Sequence, residues 1–305
     1  MRILFMGTPD FAVASLKALV EAGHEICGVF TQPDKPKNRG MKMTFSPVKE
    51  YAVTAELPVY QPLKMRDGEA MGIIEELAPE LIVVAAYGKI LPKDILDYPK
   101  HGCINVHSSV LPKYRGAAPI NWALLDGEAE TGVTIMYMAE GLDTGDIIAV
   151  AKTPIDPAED ALQLTNRLAD LGAETLLAVV KDMEEGKEIS RTVQDDSLSC
   201  YASMLSREMS PVDWNKSAQA VINQIRGLIP WPCATTEIAG VKVKLFKAEL
   251  GETTAKEGGS ITRVLKDGIE IACGDHNTII IRELQGEGGR RMPAADYLRG
   301  HPIHI

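Results

Sequence analysis

Short apolar runs alternate with helical patterns through the first half of the chain. Apolar residues at helical spacing predict helices, one of them from an N-cap at Thr8 and an N1 proline at Pro9 to about residue 22. Strands that alternate with helices form mostly parallel sheets covered on both faces. The first half is therefore predicted to be a Rossmann-like α/β domain. Its predicted strands cover 2–6, 25–31, 59–60, 81–86, 103–107 and 133–138.

The pattern changes in the second half. A long amphipathic helix is predicted over 161–185, residues 187–206 show no period, and a further helix ends at Pro230-Trp231-Pro232. Beyond it, apolar and polar residues alternate in short runs separated by Gly turns, which is typical of a small barrel or sandwich. Of the two, we expect an OB-like β-barrel. We therefore expect a first domain over 1–189, a linker over 190–206 and a C-terminal β-barrel domain over 207–305.

Composition limits the classes of protein that need consideration. A hydrophobic content of 45% in 305 residues supports ordinary buried cores. No run of about 18 apolar residues occurs, so no membrane span is expected. The five cysteines are scattered without a CxxC pair, which argues against disulfides and a zinc site. We expect a cytoplasmic protein that needs no metal.

Charge is distributed unevenly along the chain. The net charge is −10; residues from Arg207 onward carry 13 basic and 12 acidic groups, so the first 206 residues hold the remaining −11. Overall acidity argues against a general nucleic-acid coat protein. Within the acidic part, however, one proline-bearing loop is basic. A charge run is usually a solvated surface, and the alternative is a local basic footprint for an anionic partner. The loop contains Lys35, Lys37, Arg39, Lys42 and Lys49.

Candidate chemistry lies at the end of the run 103–107. Asn105 and His107 are two residues apart, so a strand places both side chains on one face. Ligands of parallel sheets bind beyond the carboxyl ends of the strands. An amide donor, an imidazole and a later carboxylate, Asp143, are the groups needed to move an acyl group onto an amine. The alternative is a buried histidine bonded to a backbone carbonyl and an aspartate in a turn.

An ordered set of motifs resembles the bacterial methionyl-tRNA formyltransferase family over the full chain. The resemblance implies transfer of the formyl group of 10-formyltetrahydrofolate to the α-amino group of methionyl initiator tRNA, by a monomer. The motifs are Gly7-Thr8-Pro9-Asp10-Phe11, Thr31-Gln32-Pro33-Asp34, Ala86-Tyr87-Gly88, Asn105-Val106-His107, Leu111-Pro112, Gly141-Leu142-Asp143-Thr144-Gly145 and Pro230-Trp231-Pro232.

The resemblance also implies roles for particular residues. Asn105 and a protonated His107 would hydrogen-bond the oxyanion, and Asp143 would orient His107 and help remove the amine proton. The implied folate-binding segment is Ser109, Val110, Leu111 and Pro112, with Val110 where the family usually has leucine. Tyr87 and Gly88 would flank the pterin, although Tyr87 could equally be a packed aromatic. The residues implied to contact tRNA are Arg39, Lys35, Lys37 and Lys42.

Other activities share the same catalytic set. The wider folate-dependent group includes glycinamide ribonucleotide formyltransferases, sugar N-formyltransferases and formyl-tetrahydrofolate hydrolases. The alternative function is therefore N-formylation of a nucleotide sugar or of glycinamide ribonucleotide. The C-terminal β domain and the Arg39 loop favour the tRNA enzyme. A folate- or RNA-binding module without turnover is disfavoured by the complete set of Asn105, His107 and Asp143.

Overall fold

The computed structural model describes residues 1–37 and 42–304. Its strands, in chain order, are β1 (Arg2–Gly7), β2 (Glu25–Phe30), β3 (Lys35–Lys37), β4 (Lys42–Thr44), β5 (Val59–Tyr60), β6 (Leu81–Ala85), β7 (Cys103–His107), β8 (Arg115–Gly116), β9 (Glu130–Tyr137), β10 (Ile147–Pro154), β11 (Tyr201–Ala202), β12 (Ala234–Ile238), β13 (Val241–Thr253), β14 (Ile261–Leu265), β15 (Gly268–Ala272), β16 (Asn277–Gly286) and β17 (Met292–Pro293). The helices are α1 (Asp10–Glu21), α2 (Pro47–Thr54), α3 (Glu69–Leu77), α4 (Lys93–Leu96), α5 (Pro119–Leu125), α6 (Ala161–Glu184), α7 (Ala218–Gly227) and α8 (Ala294–Gly300), with 3₁₀ turns at Asp196–Leu198 and Arg207–Met209.

The first sheet has the order β10-β9-β7-β6-β1-β2-β5. The pairs from β7 to β5 are parallel, which confirms the mostly parallel α/β fold predicted from the sequence. Strands β9 and β10 are antiparallel additions at one edge, and β10 was not predicted. Thr8 was wrongly predicted to cap α1, because Pro9 holds the N-cap position without a side-chain bond. The Thr8 hydroxyl donates to the Tyr87 carbonyl instead, at 3.2 Å.

Strand β7 presents alternate side chains to the two faces of this sheet. On one face, Cys103 packs in an apolar core with residues of β1, β6 and α4. On the other face, a Cβ atom on Gly172 of α6 would come within 2.9 Å of Val106, so helix and strand are in close contact there. Asn105 and His107 share the face of Cys103, because side chains alternate along a strand. They therefore lie at the carboxyl end of β7, beyond the Cys103 core.

The chain divides into two compact units. The first comprises Met1–Gly116, Glu130–Pro154 and Thr165–Tyr201, and the second Ala117–Ala129, Ile155–Leu164 and Ala202–Ile305. The second unit thus includes α5, whose Asn121 side chain donates to the Gly227 carbonyl at 2.7 Å. It also includes the segment around Asp156, whose carbonyl accepts from Arg226 at 3.2 Å. The boundaries 1–189, 190–206 and 207–305 stay a prediction.

The second unit contains one antiparallel sheet with the order β12-β13-β16-β15-β14, and β17 pairs with β16. Helix α7 packs on this sheet through Val221 and Ile225, which join an apolar core with Leu245 and Ile281. The predicted small C-terminal β domain is confirmed as an antiparallel sheet. In the described part of the chain, no helix is both long and apolar enough to cross a membrane.

A charged carboxylate is buried in this sheet. Glu270 on β15 is 2% exposed. It accepts hydrogen bonds from the Thr262 hydroxyl at 2.8 Å, from Arg263 Nε at 2.5 Å and Nη2 at 2.9 Å, and from the Thr278 hydroxyl at 2.8 Å. These bonds, the one from Arg263 foremost, lower the pKa of the Glu270 carboxyl to about 2. The carboxylate is therefore ionised and fully paired.

We expect Glu270→Gln to lower the free energy of unfolding by about 1–3 kcal/mol near neutral pH, because paired donors lose their ionic acceptor. The folded-state pKa is depressed, so the contribution of Glu270 is present above its unfolded pKa of about 4.3 and is lost as the pH falls through about 2. Denaturant unfolding from about pH 7 to about pH 3 should show the difference in stability between the two proteins become smaller.

The control for this prediction is Glu252→Gln. Glu252 contacts the same guanidinium, that of Arg263, at 3.1 Å but is 75% exposed. We expect Glu252→Gln to change the free energy of unfolding by at most about 0.5 kcal/mol. Equal losses for the two variants, or a difference independent of pH, would contradict the account of Glu270.

Candidate active site

Asn105 and His107 are both buried at the end of β7, with exposures of 9% and 6%. Asn105 lies opposite Met136 of β9, and His107 lies opposite Thr134. Throughout residues 1–37 and 42–304, no side-chain hydrogen bond involves the Asn105 carboxamide. Among the described residues, Ser15 Oγ is the only side-chain polar atom that is fully buried without a hydrogen bond, so the amide atoms of Asn105 stay accessible to solvent or to a ligand. Asn105 is therefore free to bind a substrate oxygen.

The His107 ring is fixed through one nitrogen. Its Nε2 lies 2.9 Å from the Tyr114 carbonyl oxygen. Because a carbonyl can only accept, Nε2 carries a proton. The other nitrogen, Nδ1, faces Asp143 Oδ2 at 3.7 Å. The structure therefore leaves Nδ1 as the atom that can exchange a proton beside a carboxylate.

Asp143 is held in a strained turn, Asp143–Gly145, that follows β9. Its φ of 52° is in the left-handed region, and its Oδ2 accepts from the Gly116 backbone N–H at 2.8 Å. A Cβ atom on Gly145 would lie 1.8 Å from the Tyr137 carbonyl oxygen, so only glycine fits there. The structure thus places His107 Nδ1 and Asp143 Oδ2 3.7 Å apart. The contributions of Gly116 and Tyr114 were not predicted, because backbone groups carry no sequence signal.

The predicted folate segment forms a tight turn after β7. The Thr134 hydroxyl donates to the Ser109 carbonyl at 2.7 Å and accepts from Leu111 N–H at 3.1 Å. The Ser109 hydroxyl donates to the Lys113 carbonyl at 2.6 Å. Val110 and Pro112 are half-buried, while Leu111 is buried. The polar groups of the turn are largely satisfied internally, so the turn offers Val110 and Pro112 as contact surface.

Tyr87 and Gly88 follow β6. The Tyr87 side chain is 1% exposed and belongs to the apolar core, with its hydroxyl 3.5 Å from Met65 Sδ. Burial raises the pKa of the phenol. The carbonyls of both residues accept from Gln32 Nε2, at 3.1 Å and 3.2 Å. The burial agrees with a packed aromatic, and the predicted contact of these residues with a pterin stays a prediction.

The basic segment has strands that the sequence did not predict. Lys35 and Lys37 lie on β3 and Lys42 on β4, and the two strands pair antiparallel with Lys37 opposite Lys42. Arg39 lies outside the described residues. Lys49, grouped with them in the sequence, is engaged elsewhere.

The Lys49 ammonium contacts Asp34 at 2.6 Å and Gln61 at 2.9 Å, and it lies 4.1 Å from the centre of the Phe45 ring. The hydrogen bond from Lys49 lowers the pKa of the Asp34 carboxyl. The chain entering β3 is therefore fixed to the helix that follows β4, and Lys49 is not free for a ligand.

The cysteine on this strand is not suited to nucleophilic catalysis. Burial raises the pKa of the Cys103 thiol to about 12, so this cysteine is a poor nucleophile. Among residues 1–37 and 42–304, no three His, Cys, Asp or Glu side chains converge as metal ligands would. The groups that do converge are an amide, an imidazole and a carboxylate, which fit acyl transfer to an amine.

Family comparisons cover nearly the whole chain. Residues 1–180 match the family described as formyl transferase, and residues 204–302 match the formyl transferase C-terminal domain. A methionyl-tRNA formyltransferase of Geobacter sulfurreducens is 50% identical over 98% of this chain and 94% of its own length. One of Clostridioides difficile is 47% identical over 99% of this chain and 98% of its own.

Solved structures share the fold at low identity. The sugar 3N-formyl transferase WlaRD, solved with dTDP and 5-N-formyl-THF, is 20% identical, with a TM-score of 0.69 over 92% of this chain and 97% of its own. HypX from Aquifex aeolicus in complex with tetrahydrofolic acid is 20% identical, with a TM-score of 0.64 over 98% of this chain. This chain spans 47% of the HypX chain. Both similarities concern the fold alone.

We expect Gly145→Ala to lower the free energy of unfolding by about 1–3 kcal/mol, because its Cβ would overlap a strand carbonyl that cannot move aside. Gly72→Ala is the control. Gly72 lies inside α3, and its Cβ would meet nothing within 4 Å, so alanine should add about 0.5–1 kcal/mol. Denaturant unfolding measures both changes. A Gly145→Ala protein as stable as the original would contradict the packing described for this turn.

Proposed function

This chain belongs to the methionyl-tRNA formyltransferase family, and from that premise we propose that it transfers the formyl group of 10-formyltetrahydrofolate to the α-amino group of methionyl initiator tRNA. The observation that carries the proposal is the convergence of His107 Nδ1 and Asp143 at the strand end that also bears the unpaired Asn105 carboxamide. Formyl transfer to an amine needs these groups. We place the reaction in the cytoplasm and expect a monomer.

The chemical roles follow from the geometry. The α-amino group has a pKa of about 7.7, so a substantial minority of it is neutral and nucleophilic near neutral pH. Its attack on the formyl carbon forms a C–N bond and leaves negative charge on the formyl oxygen. Asn105 donates a hydrogen bond to that oxygen, and a proton on His107 Nδ1 donates a second. Both groups are buried, so these bonds act at low effective dielectric.

Proton transfer completes the reaction. Asp143 takes the proton that the attacking amine must lose, and its carboxylate lies beside His107 Nδ1. When the C–N bond to the folate breaks, the leaving nitrogen receives a proton from this pair. The 3.7 Å gap between Nδ1 and Oδ2 is longer than a hydrogen bond. The Nδ1 proton is therefore not committed to Asp143 and can donate to the formyl oxygen.

The folate donor supplies the formyl group, and this chain has a surface suited to it. Half-buried Val110 and Pro112 present an apolar turn next to the strand end, and the hydroxyl of Thr134 fixes that turn from β9. Gly88, with φ of 78°, has no side chain to cover the backbone after β6. We propose that these residues, with Ser109, Leu111 and Tyr87, form the folate side of the site.

The tRNA would be bound by both basic parts of the chain. Strands β3 and β4 carry Lys35, Lys37 and Lys42 on one antiparallel pair, and β13 exposes Lys242 and Lys244. Helix α5 and residues 155–164 belong to the second unit. A chain that ends at Ser206 would keep these segments but lose the rest of the unit on which they pack. Binding by the second unit is therefore best tested in the full-length chain, through the salt dependence of KM.

The alternative acceptors are a nucleotide amino sugar and glycinamide ribonucleotide. The structural likeness to a sugar formyltransferase is at 20% identity and extends to the fold only. Relatives at about half identity over the whole chain are tRNA enzymes. The decisive experiment gives the full-length protein 10-formyltetrahydrofolate with initiator or elongator methionyl-tRNA, a dTDP-amino sugar or glycinamide ribonucleotide. Formylmethionine released from initiator tRNA, at a rate that falls with salt, supports the proposal. Turnover of only the sugar or ribonucleotide overturns it.

Replacing the oxyanion donors should slow the chemical step. We expect Asn105→Ala or His107→Ala to lower kcat by about a hundredfold or more, the scale for losing one such donor. Folate affinity should change little, since neither residue lies in the 109–112 turn. Single-turnover rates and folate titration measure the two effects. His101→Ala, which alters a histidine before β7, is the control; near-normal turnover of either active-site variant would refute these roles.

Arg39 should matter for tRNA and not for the chemistry. Arg39→Ala is expected to weaken use of initiator tRNA by about 1–3 kcal/mol if the guanidinium pairs bidentately with a base, and by less with a phosphate. Formylation of a small methionine ester should be unaffected. Lys35→Ala and Lys37→Ala should each cost less, since an ammonium is a point charge. The test is kcat/KM for both acceptors over a salt series; equal losses on both would exclude an RNA contact.

A further inference from the structure

Gln194 is buried within a stretch that is otherwise open to solvent. It is 8% exposed, whereas residues 190–193 and 195–198 are all exposed. The adjacent Val193, an apolar residue, is 80% exposed. Burying a carboxamide costs free energy unless its donors and its acceptor are paired. Burial of the polar neighbour in preference to the apolar one therefore points to specific partners.

Those partners occupy every hydrogen-bonding position of the carboxamide. Its Nε2 donates to the Asp143 carbonyl at 2.8 Å and to the Gly145 carbonyl at 2.7 Å. Its Oε1 accepts from Arg115 Nε at 3.1 Å and Nη2 at 2.9 Å. A flipped carboxamide would set its oxygen against two carbonyls and its amino group against a guanidinium. Arg115 therefore selects the orientation that bonds the Asp143–Gly145 turn.

A closed circuit of bonds results. Gln194 holds the backbone of Asp143, and Arg115 holds Gln194. The next residue, Gly116, donates its N–H to Asp143 Oδ2 at 2.8 Å. Arg115 is itself anchored by Asp196 at 2.8 Å. Both the main chain and the carboxylate of Asp143 are thus fixed from the same two adjacent residues, which sets the direction of the carboxylate.

The segment that carries Gln194 is itself fastened to the sheet. Thr192 and Ile147, the first residue of β10, exchange two backbone hydrogen bonds of 2.8 Å and 2.9 Å. This pairing brings the chain past the Asp143–Gly145 turn two residues before Gln194. The left-handed φ of Asp143, 52°, costs free energy that such contacts offset.

We propose that Gln194 is a positioning residue for formyl transfer: it holds the Asp143 backbone so that Oδ2 faces His107 Nδ1, and Arg115 fixes the orientation of Gln194. This inference rests on the proposed function, because it assumes that Asp143 acts in the chemistry. Gln194 acts on the chemistry through the Asp143–Gly145 turn, which carries the Asp143 carboxylate. The segment predicted from the sequence to be a linker therefore contributes to the active site.

The test uses two variants of the full-length chain. Gln194→Met keeps the volume but loses all four bonds, and Gln194→Glu keeps the pairing with Arg115 but loses both donors. We expect each to lower kcat about 10- to 100-fold, the scale of a misplacement near 1 Å, with KM for both substrates within about twofold. Asp195→Asn is the matched control, since Asp195 is exposed and its hydrogen bonds go to Ser197. Asp195→Asn should leave kcat within about twofold of the value for the original protein.

A double-variant cycle separates positioning from general structural damage. In an Asp143→Asn background, adding Gln194→Met should cost at most about twofold more, because its effect passes through the missing carboxylate. Full additivity of the two losses, or a rise in KM with kcat unchanged, would overturn the proposal.

Hydrogen exchange gives a readout that does not depend on the acceptor. Gln194→Met and Gln194→Glu should each speed exchange of the Gly116 amide, which Asp143 Oδ2 protects. If the original protein formylates no tRNA, the proposed function fails while this measurement still tests the circuit. Unchanged exchange at Gly116 would overturn the positioning role whatever the acceptor is.

Discussion

The hydrogen bond from His107 Nε2 to the Tyr114 carbonyl is the interaction on which the rest of the site depends. At 2.9 Å it fixes both the ring plane and the nitrogen that carries the permanent proton. Only one nitrogen, Nδ1, then remains for chemistry, and it faces Asp143. In the other tautomer, the Nε2 lone pair would face the lone pairs of the Tyr114 carbonyl oxygen, and this hydrogen bond would be lost.

That bond requires the backbone at Tyr114 to be unusual. Tyr114 has φ of 61°, in the left-handed region, and its N–H donates to Cys200 Sγ at 3.2 Å. The next backbone N–H, that of Arg115, donates to the Cys200 carbonyl at 3.0 Å. Contacts on both sides thus compensate the strain at Tyr114. The same chain reversal aims Gly116 N–H at Asp143, so the histidine and the carboxylate are positioned by three consecutive residues.

The sequence predicts the parts of the site that follow from strand periodicity. Asn105 and His107 were placed on one face of β7 because side chains alternate, and the structure agrees. The sequence does not predict the roles of Tyr114, Gly116 or Gln194 in the site, because their contacts join residues far apart in the chain. For example, Gln194 and Asp143 are 51 residues apart. Periodicity carries no information on such contacts, nor on strand direction, which is why the antiparallel edge of β9 and β10 was not foreseen. The roles implied for the folate and tRNA residues remain predictions.

Nitrogen-15 NMR of the histidine rings in the folded protein tests the central claim most directly, with His107→Gln used to assign the signals. The account predicts that His107 Nε2 is protonated throughout the pH range in which the protein is folded. The nitrogen whose shift follows pH should be Nδ1, and it should respond when Asp143 is changed to asparagine. A ring with Nδ1 protonated and Nε2 carrying the lone pair would contradict the account, because the proton-exchanging atom would then face Tyr114 instead of the carboxylate.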